Sequence, residues 1–349
     1  MMKELVRSAV AAGCRASGLL ARREAQLRSG LTILCYHRVL PAVEKAAYFI
    51  PDLVVTPEAF EAHCAVLARR FHLLPLREAF DAWSRRTKTD KPIAVITFDD
   101  GYRDNALLAV PVLAKHGLRA TFFVVADLAG IEAPPWYDQA GRAVQVLRSQ
   151  GRGVAPDGTI LDAPGPSASP REVVAAAKKR APRDRAALTA RLVAAVGDAL
   201  AFSENDRIMT WDQLRTVHRQ GHEIGSHSAS HEILPLLDDE ALRAEVCGSK
   251  RTLEEGLDAA VDTFCYPNGD YDARTLRLAG EAGYQCAVTT HRGSNKEHGA
   301  APYELKRWFI HEGRLAGPGG AASPSQLRLE LTGLADKAFA RETSRAVTS

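Results

Sequence analysis

From residue 31 onward, short runs of apolar, β-branched and aromatic residues alternate with longer stretches whose apolar positions recur at helical spacing. The short runs predict strands, and the longer stretches predict amphipathic helices. Seven strands are predicted, at residues 31–36, 93–98, 120–125, 222–226, 263–266, 286–289 and 306–310. Strands and helices that alternate in this way are typical of an α/β fold built on a parallel sheet.

Capping residues mark the starts of several predicted helices. Thr56 precedes a proline and a glutamate, which is the pattern of an N-cap followed by a first helical turn. Thr210 and Gln213 have the form of a capping box, and Gly221 should end the helix that they begin.

Residues 139–206 interrupt the alternation of strands and helices. No aromatic residue occurs from Gln139 to Ala201, and the composition shifts to Ala, Arg, Gly and Pro. We interpret this region as a helical insertion, with a loop at 151–169, a capping box at Ser169 and a helix over 184–200. The chain then divides into a basic helical segment at 1–30, a main domain at 31–312 and a C-terminal region at 313–349. The C-terminal region consists of a linker and a terminal helix predicted over 327–340.

The composition is that of a globular protein and excludes several classes. Of the 349 residues, 25% are charged and 46% hydrophobic, which excludes a disordered, collagen-like or membrane-spanning chain. The formal net charge of +3 is too small for a nucleic-acid-binding protein of this size. Six scattered cysteines, with no Cys-x-x-Cys pair, indicate buried thiols in a reducing compartment.

The first 30 residues carry six basic and two acidic side chains, and no apolar run long enough for the core of a signal peptide. A cytoplasmic location without a transmembrane segment is therefore expected. Two interpretations stay open for this segment. It is either a basic helix packed on the main domain or an amphipathic helix that makes peripheral contact with an anionic membrane.

Two consecutive carboxylates follow the second predicted strand. Asp99 and Asp100 stand where the apolar run 93–98 ends, ahead of Gly101. Functional groups gather at the carboxyl ends of strands in β/α folds, so a catalytic pair is one interpretation. An ordinary Asp-Gly turn is the other.

A pair of histidines follows the strand predicted at 222–226. His227 and His231 are four residues apart, so on a helical turn both imidazoles face one side and can bind a cation together with a nearby carboxylate. His218 and His222 have the same spacing. Gly221 falls between those two and should end the helix, so we predict that they are surface or packing residues.

The third element is the run Phe-Cys-Tyr-Pro-Asn-Gly at 264–269, an apolar strand closed by a turn. A backbone N–H of this turn that points into the site would donate to an oxyanion. The alternative is a plain connection between a strand and a helix.

Three motifs, in this order, closely resemble those of the polysaccharide deacetylases of carbohydrate esterase family four. They are Thr-Phe-Asp-Asp-Gly-Tyr (97–102), Gly-His-Glu-Ile-Gly-Ser-His-Ser-Ala-Ser-His (221–231) and Phe-Cys-Tyr-Pro-Asn-Gly (264–269). The resemblance extends over residues 31–312. It implies a distorted, incomplete (β/α) barrel that holds one divalent metal ion, here with a helical insertion.

The same resemblance assigns the metal ligands and the general base. The ligands are Asp100, His227 and His231, and the base is Asp99. Zinc is the default ion for such nitrogen and oxygen ligands, with cobalt, nickel and manganese as alternatives. Members of the family often carry an arginine ahead of the aromatic-proline pair of the third motif, where it orients the base. Here Cys265 stands next to that pair instead.

Substrate contacts and the general acid rest on weaker signals. Substrate contacts are expected from the third motif and from two residues outside it: Tyr266, Pro267, Asn268, Trp136 and His37. Trp136 and Trp308 either stack on a sugar ring or pack in the core. The family uses a late histidine as general acid, and His311, after the strand predicted at 306–310, is our prediction for it. His291 and His37 are the alternatives.

The implied activity is metal-dependent removal of an N-acetyl group from an amino sugar in a polysaccharide or glycolipid precursor. Two other functions are compatible with the same residues: hydrolysis of another amide or an O-acetyl ester, and glycan binding without catalysis. The presence of the base and of all three ligands argues against the last. The expected partner is thus an N-acetylated glycan or glycolipid, and no nucleic acid.

Overall fold

The computed structural model describes residues 2–161, 167–296, 301–317 and 320–335. Its strands are β1 (Leu31–Tyr36), β2 (Arg38–Val39), β3 (Val54–Val55), β4 (His72–Leu73), β5 (Ile93–Phe98), β6 (Thr121–Val124), β7 (Gly153–Val154), β8 (Ile160–Leu161), β9 (Glu223–Ser226), β10 (Thr263–Cys265), β11 (Cys286–Arg292) and β12 (Leu305–Phe309).

Its helices are α1 (Met2–Ala16), α2 (Leu19–Gln26), α3 (Ala42–Ala47), α4 (Pro57–Arg70), α5 (Leu76–Ser84), α6 (Val110–Lys115), α7 (Trp136–Ser149), α8 (Pro170–Lys178), α9 (Pro182–Val196), α10 (Trp211–Arg219), α11 (Asp239–Arg243), α12 (Ser249–Leu257), α13 (Ala273–Glu281), α14 (Glu312–Leu315) and α15 (Pro324–Leu331). A π-helical turn, Asn105–Ala109, leads into α6, and a second, Ala244–Gly248, joins α11 to α12.

Seven parallel strands form a closed barrel. They follow one another around the ring in the order β1, β12, β11, β10, β9, β6, β5. Pairing of β5 with β1, from Leu31 opposite Ile93 to Tyr36 opposite Phe98, closes the ring. The barrel has one strand fewer than a complete (β/α)₈ barrel, so the predicted distorted, incomplete (β/α) barrel is confirmed. Each barrel strand lies where the sequence predicts it, with ends that differ by at most three residues.

Alternate residues of the barrel strands face the interior and the surrounding helices. The interior cluster joins side chains from six strands and from α5: Leu31, Ile33, Val95, Phe123, Cys265, Val288, Leu305 and Trp83. The residues between them, such as Leu34 and Ile96, belong to the larger core under the outer helices. Strands buried on both faces have continuous apolar sequences, which is why the sequence pattern located them.

The insertion contains α7, the hairpin β7–β8, α8 and α9. These elements share a core of their own, which also includes Tyr102 from the loop after β5. The capping box at Ser169 is present, and the helix predicted over 184–200 spans Pro182–Val196. The prediction of a loop throughout 151–169 is wrong, because Gly153–Val154 pairs with Ile160–Leu161; residues 162–166 lie outside the described residues.

The two ends of the described chain pack together. Ala11 of α1 and Leu20 of α2 share a small core with Leu329 of α15, and Arg328 donates to both carboxylate oxygens of Glu24 at 2.6 and 2.8 Å. The terminal helix begins at Pro324, three residues earlier than predicted, and its predicted end at 340 lies outside the described residues. Within the described part of the chain, no helix has the length and apolarity needed to cross a membrane.

Candidate metal centre

The turn after β5 directs two neighbouring carboxylates to different partners. Asp100 has a left-handed backbone (φ 71°) and is followed by Gly101 (φ 79°). A Cβ at Gly101 would lie 3.1 Å from Val124 of β6, so both the conformation and the space require glycine. The segment is therefore an Asp-Gly turn, and both of its carboxylates line one cavity.

The loop after β9 carries His227 and His231, and it is not helical. Ser228 and His231 have left-handed backbones (φ 62° and 64°), so the helical turn inferred from the four-residue spacing is wrong. The Glu245 carboxylate accepts hydrogen bonds from two consecutive amides of the loop, at 3.0 and 2.9 Å, and so fixes its shape. The two imidazole rings still come together, with their centroids 4.8 Å apart.

Three potential ligand atoms converge at the mouth of the barrel. Asp100 Oδ1 lies 3.6 Å from His227 Nε2 and 3.5 Å from His231 Nε2. All three residues are buried, and their ligand atoms lie within 4.8 Å of one another. Bonds of about 2.0–2.2 Å to a four-coordinate ion place neighbouring ligands roughly 3.4 Å apart. The spacing and the donor types therefore fit one divalent ion with coordination positions left open.

Burial prepares these groups for a cation. It lowers the pKa of both imidazoles, that of His231 well below its usual value, so both rings are neutral at neutral pH. His227 Nδ1 lies 2.8 Å from the Cys265 carbonyl oxygen, which leaves Nε2 directed at Asp100. Burial and the charge of Asp99 raise the pKa of Asp100 to about 7. A cation would relieve that penalty by pairing with the carboxylate.

Asp99 is held by an arginine from the last strand. Arg307 of β12 donates through both terminal nitrogens to the two carboxylate oxygens, at 2.6 and 2.7 Å. The carbonyl of Thr289 and the hydroxyl of Thr97 accept further bonds from the same guanidinium, at 2.9 and 3.2 Å. Burial favours a higher pKa for Asp99, but the charge and hydrogen bonds of Arg307 outweigh it and hold that pKa well below its usual range. Asp99 is therefore ionised at neutral pH.

The sequence pattern did not predict Arg307 as a site residue. Cys265, which stands next to the aromatic-proline pair, lies with its Sγ 3.3 Å from an Arg307 nitrogen. The guanidinium thus reaches Asp99 from β12, two strands beyond β10, which carries the third motif. The available signal was an arginine inside an apolar strand, two residues after the interior residue Leu305.

Cys35 and His37, at the end of β1, border the same carboxylate. Cys35 Sγ lies 3.5 Å and His37 Nε2 lies 3.9 Å from Asp99 Oδ2. Burial raises the pKa of the Cys35 thiol well above its usual value and lowers the pKa of His37 to about 4. Both groups are consequently neutral next to the ionised Asp99, and both line the cavity.

The third motif forms one wall of the cavity. Asn268 has a left-handed backbone (φ 56°), and so does Gly269 (φ 79°), where a Cβ would overlap the side chain of Thr290. The amides of the two residues after Asn268 donate within the turn. Among the described residues, the backbone amide of Asn268 has no hydrogen-bond acceptor.

Most of the predicted site residues line this one cavity: Asp99, Asp100, His227, His231, Tyr266, Asn268, His37 and His311. His311 Nε2 lies 2.9 Å from Asp52 Oδ1. Two predicted substrate contacts are not part of the cavity lining formed by the described residues: Pro267 is buried, and the Trp136 ring lies 4.8 Å from the Arg185 guanidinium carbon. His291 is exposed and is not part of the lining formed by the described residues.

Two further predictions concern the histidine pair His218 and His222 and the tryptophan Trp308. His222 is buried, and its Nδ1 accepts the amide of Ala120 at 3.1 Å. Gly221 (φ 87°) follows the end of α10, as predicted, and His218 on that helix is half-buried. Trp308 is buried and donates to Ser294, so of the two interpretations offered for it the structure favours packing.

The insertion supplies the wall opposite the barrel. Val174 and Lys178 of the insertion line the cavity together with Tyr137, which lies two residues before it, and the Tyr137 ring lies 5.4 Å from the ring of His231. Lys178, the last residue of α8, donates to the side-chain oxygen of Asn268. The insertion therefore lies at the same end of the barrel as the candidate metal centre.

Sequence comparisons identify relatives of the chain. The family model described as polysaccharide deacetylase matches residues 86–287. The protein YxkH of Bacillus subtilis (strain 168), which is named as a polysaccharide deacetylase, is 24% identical over 294 residues, or 84% of this chain and 74% of the relative.

Solved structures share the fold. The Streptococcus pyogenes deacetylase PplD, solved in complex with acetate, aligns with a TM-score of 0.58 and 19% identity over 86% of this chain and 98% of its own. IcaB from Ammonifex degensii aligns with a TM-score of 0.53 and 17% identity over 87% of this chain and 97% of its own. With the family model matching more than half of its length, the chain belongs to the polysaccharide deacetylase family.

Proposed function

We propose that this protein removes N-acetyl groups from an amino sugar in a polysaccharide or glycolipid precursor and that it uses one divalent metal ion. The observation that carries the proposal is the pairing, in one cavity, of the ligand set Asp100, His227 and His231 with a separate ionised carboxylate, Asp99. Zinc is the ion expected for these ligands, with cobalt, nickel and manganese as alternatives.

Hydrolysis of an N-acetyl amide is slow because the carbonyl is a poor electrophile and water is a poor nucleophile. When bound, a divalent cation supplies Lewis acidity, which polarises a carbonyl oxygen and acidifies water. The other requirements are a proton acceptor, a donor to the developing oxyanion and a proton donor to the amine. We propose a residue of the chain for each of these three roles.

Asp99 is the proton acceptor in this proposal. It is ionised, and the two-pronged hydrogen bond from Arg307 fixes the direction of its carboxylate while leaving lone pairs of both oxygens unused. Its other neighbours, Cys35 and His37, are neutral, so neither forms an ion pair with the carboxylate. Arg307 acts through Asp99 and is a positioning residue.

Charge that develops on the acetyl oxygen needs a donor that is already in place. The amide of Asn268 is the candidate, because no acceptor pairs with it among the described residues and because Asn268 lines the cavity. A backbone N–H held in this way costs no reorganisation during the reaction. We therefore assign it to the oxyanion.

His311 is the proposed proton donor to the leaving amine. It lines the cavity, and the carboxylate of Asp52, 2.9 Å from its Nε2, is a partner for the protonated ring. His37 is the second candidate by position, but its burial lowers its pKa to about 4 and so disfavours the protonated form. The proposal keeps His37 as a substrate contact.

The test combines metal analysis of the purified protein with acetate release from defined glycans. We expect one metal ion per chain, acetate release from N-acetylated chitooligosaccharides and a matching glycolipid, and loss of both metal and activity with a chelator. Acetate release from O-acetylated xylan alone would replace the N-acetyl assignment with an ester one. Full activity in protein shown to be metal-free would exclude metal dependence.

A further inference from the structure

Lys178 places an ammonium group in the wall of the cavity. Among the described residues, it is the only basic side chain of the insertion in the lining. It comes from the end of α8 and donates to the Asn268 side-chain oxygen. No carboxylate of the described chain lies within 4.0 Å of it. Lys178 is half-buried, and a charged group in a cavity wall is stabilised by an ionic partner, which the described chain does not supply.

The nearest negative charges do not complete it. Burial lowers the pKa of Lys178, and the carboxylates of Asp100 and Asp270 oppose that shift from a distance. Asp100 belongs to the proposed ligand set, so its charge is shared with the cation once the metal is bound. With a cation held there, Lys178 would have no carboxylate of the described chain to itself.

A second donor stands beside the ammonium. The side-chain nitrogen of Asn268 is buried and has no hydrogen-bond partner, whereas the side-chain oxygen accepts a hydrogen bond from Lys178. Asn268 lines the same cavity. An ammonium and an unpaired amide nitrogen on adjacent side chains match a group with two or three acceptor oxygens.

The charges of the cavity point to the same class of group. Asp99 and Asp100 balance Arg307 and Lys178, so the charge of a divalent ion is left uncompensated. The remaining charged side chains of the lining, Arg292 and Arg314, pair with Glu330. A concave site with excess positive charge concentrates anions.

We propose that Lys178 and the side chain of Asn268 form a recognition subsite for an anionic oxygen group on the glycan, near its acetamido group. This inference rests on the proposed function. It makes the insertion a specificity element, and it distinguishes a glycan that carries a carboxylate or a phosphate from a neutral one.

The experiment compares three N-acetylated substrates with the metal-loaded enzyme: neutral triacetylchitotriose, a hyaluronan tetrasaccharide with carboxylates, and N-acetylglucosamine 1-phosphate. The wild type should have a higher kcat/KM for one or both anionic substrates. Lys178→Met should lower the ratio of anionic to neutral kcat/KM about ten- to hundredfold, the size of a hydrogen bond to a charged group. The loss should lie mainly in KM, with metal content unchanged.

Two further variants serve as controls for this comparison. Lys178→Arg keeps the charge and should recover much of the anionic preference. Lys179→Met changes the exposed neighbour, which does not line the cavity, and should leave the ratio unchanged. Selectivity for hyaluronan alone assigns the subsite to a carboxylate, and selectivity for the sugar phosphate alone assigns it to a phosphate.

An unchanged ratio in Lys178→Met, or an equal loss on neutral and anionic substrates, would overturn the inference and leave Lys178 as a structural contact. If the wild type hydrolyses none of the three, the proposed function fails on these substrates. Calorimetric binding of N-acetylglucosamine 1-phosphate and of the hyaluronan tetrasaccharide to the metal-loaded wild type and Lys178→Met then tests the subsite independently. Equal affinity of both proteins for both ligands would refute it.

Discussion

The guanidinium of Arg307 holds both carboxylate oxygens of Asp99, although β1 separates their strands in the barrel. The side chains of this pair are only 2% and 4% exposed. Removal of one partner from a buried pair leaves an uncompensated charge and costs about 3–5 kcal/mol. The contact therefore lowers the pKa of the proposed base and fixes the direction of its carboxylate, and loss of either partner should destabilise the fold.

Replacement of Arg307 by Met should move the acid limb of the kcat/KM profile to higher pH. Asp99 accepts a proton only when it is ionised, so activity falls as the pH drops through its pKa. In the wild type Arg307 holds that pKa well below its usual range. Without the guanidinium, the largest effect that opposes burial is lost and the pKa rises. Activity profiles over a range of pH, with metal content measured on the same samples, give the result.

Arg307→Lys is the matched control, since it keeps a positive charge but loses the two-pronged geometry. Its acid limb should lie between those of the wild type and Arg307→Met. Identical acid limbs in all three proteins would show that Arg307 does not set the ionisation of Asp99. A change in the unfolding midpoint alone would leave Arg307 with a purely structural role.

Asp99→Asn should keep the metal and the fold and lose most of the turnover. The amide is close in shape to the carboxylate but cannot accept the proton of water, so kcat should fall on the order of 10²–10⁴-fold. Metal analysis and acetate release on one preparation separate binding from chemistry. Near-normal turnover would mean that Asp99 only shapes the turn before Gly101.

The strands and the order of the site elements along the chain were predictable because their signals are local. A barrel strand such as Ile93–Phe98 is buried on both faces and is therefore apolar throughout. Asp99 and Asp100 directly follow it, and the position of a residue at the end of a strand already implies the end of the barrel at which it lies. The same reasoning placed His227 after β9.

The contacts that complete the site are not local and left little signal in the sequence. Arg307 is 208 residues from Asp99 along the chain, and Lys178 is 90 residues from Asn268. Their meeting depends on the barrel register and on how the insertion folds back. The geometry of the histidine loop was also beyond reach, because the left-handed backbones of Ser228 and His231 depend on contacts such as those of Glu245.

His227→Ala should remove the metal and the activity together. It takes away one of the three proposed ligands, and the remaining pair, Asp100 and His231, should give a much weaker site. His222→Ala is the matched control from the second histidine pair. It should keep the metal and lower only stability, because His222 accepts the amide of Ala120 in the core. Full metal occupancy in the first variant, or metal loss in the second, would reverse the ligand assignment.

His311→Asn should impair amide hydrolysis far more than hydrolysis of an activated ester. An amine leaves only after it gains a proton, whereas nitrophenolate leaves without one, so a general acid matters for the first substrate and not for the second. We expect kcat for an N-acetylated chitooligosaccharide to fall on the order of 10²–10⁴-fold and hydrolysis of p-nitrophenyl acetate to change little. His291→Asn, at an exposed position outside the cavity lining, should leave both rates unchanged. Equal losses on both substrates in His311→Asn would remove His311 as the acid, and the same selective loss in His37→Asn would assign the role to His37.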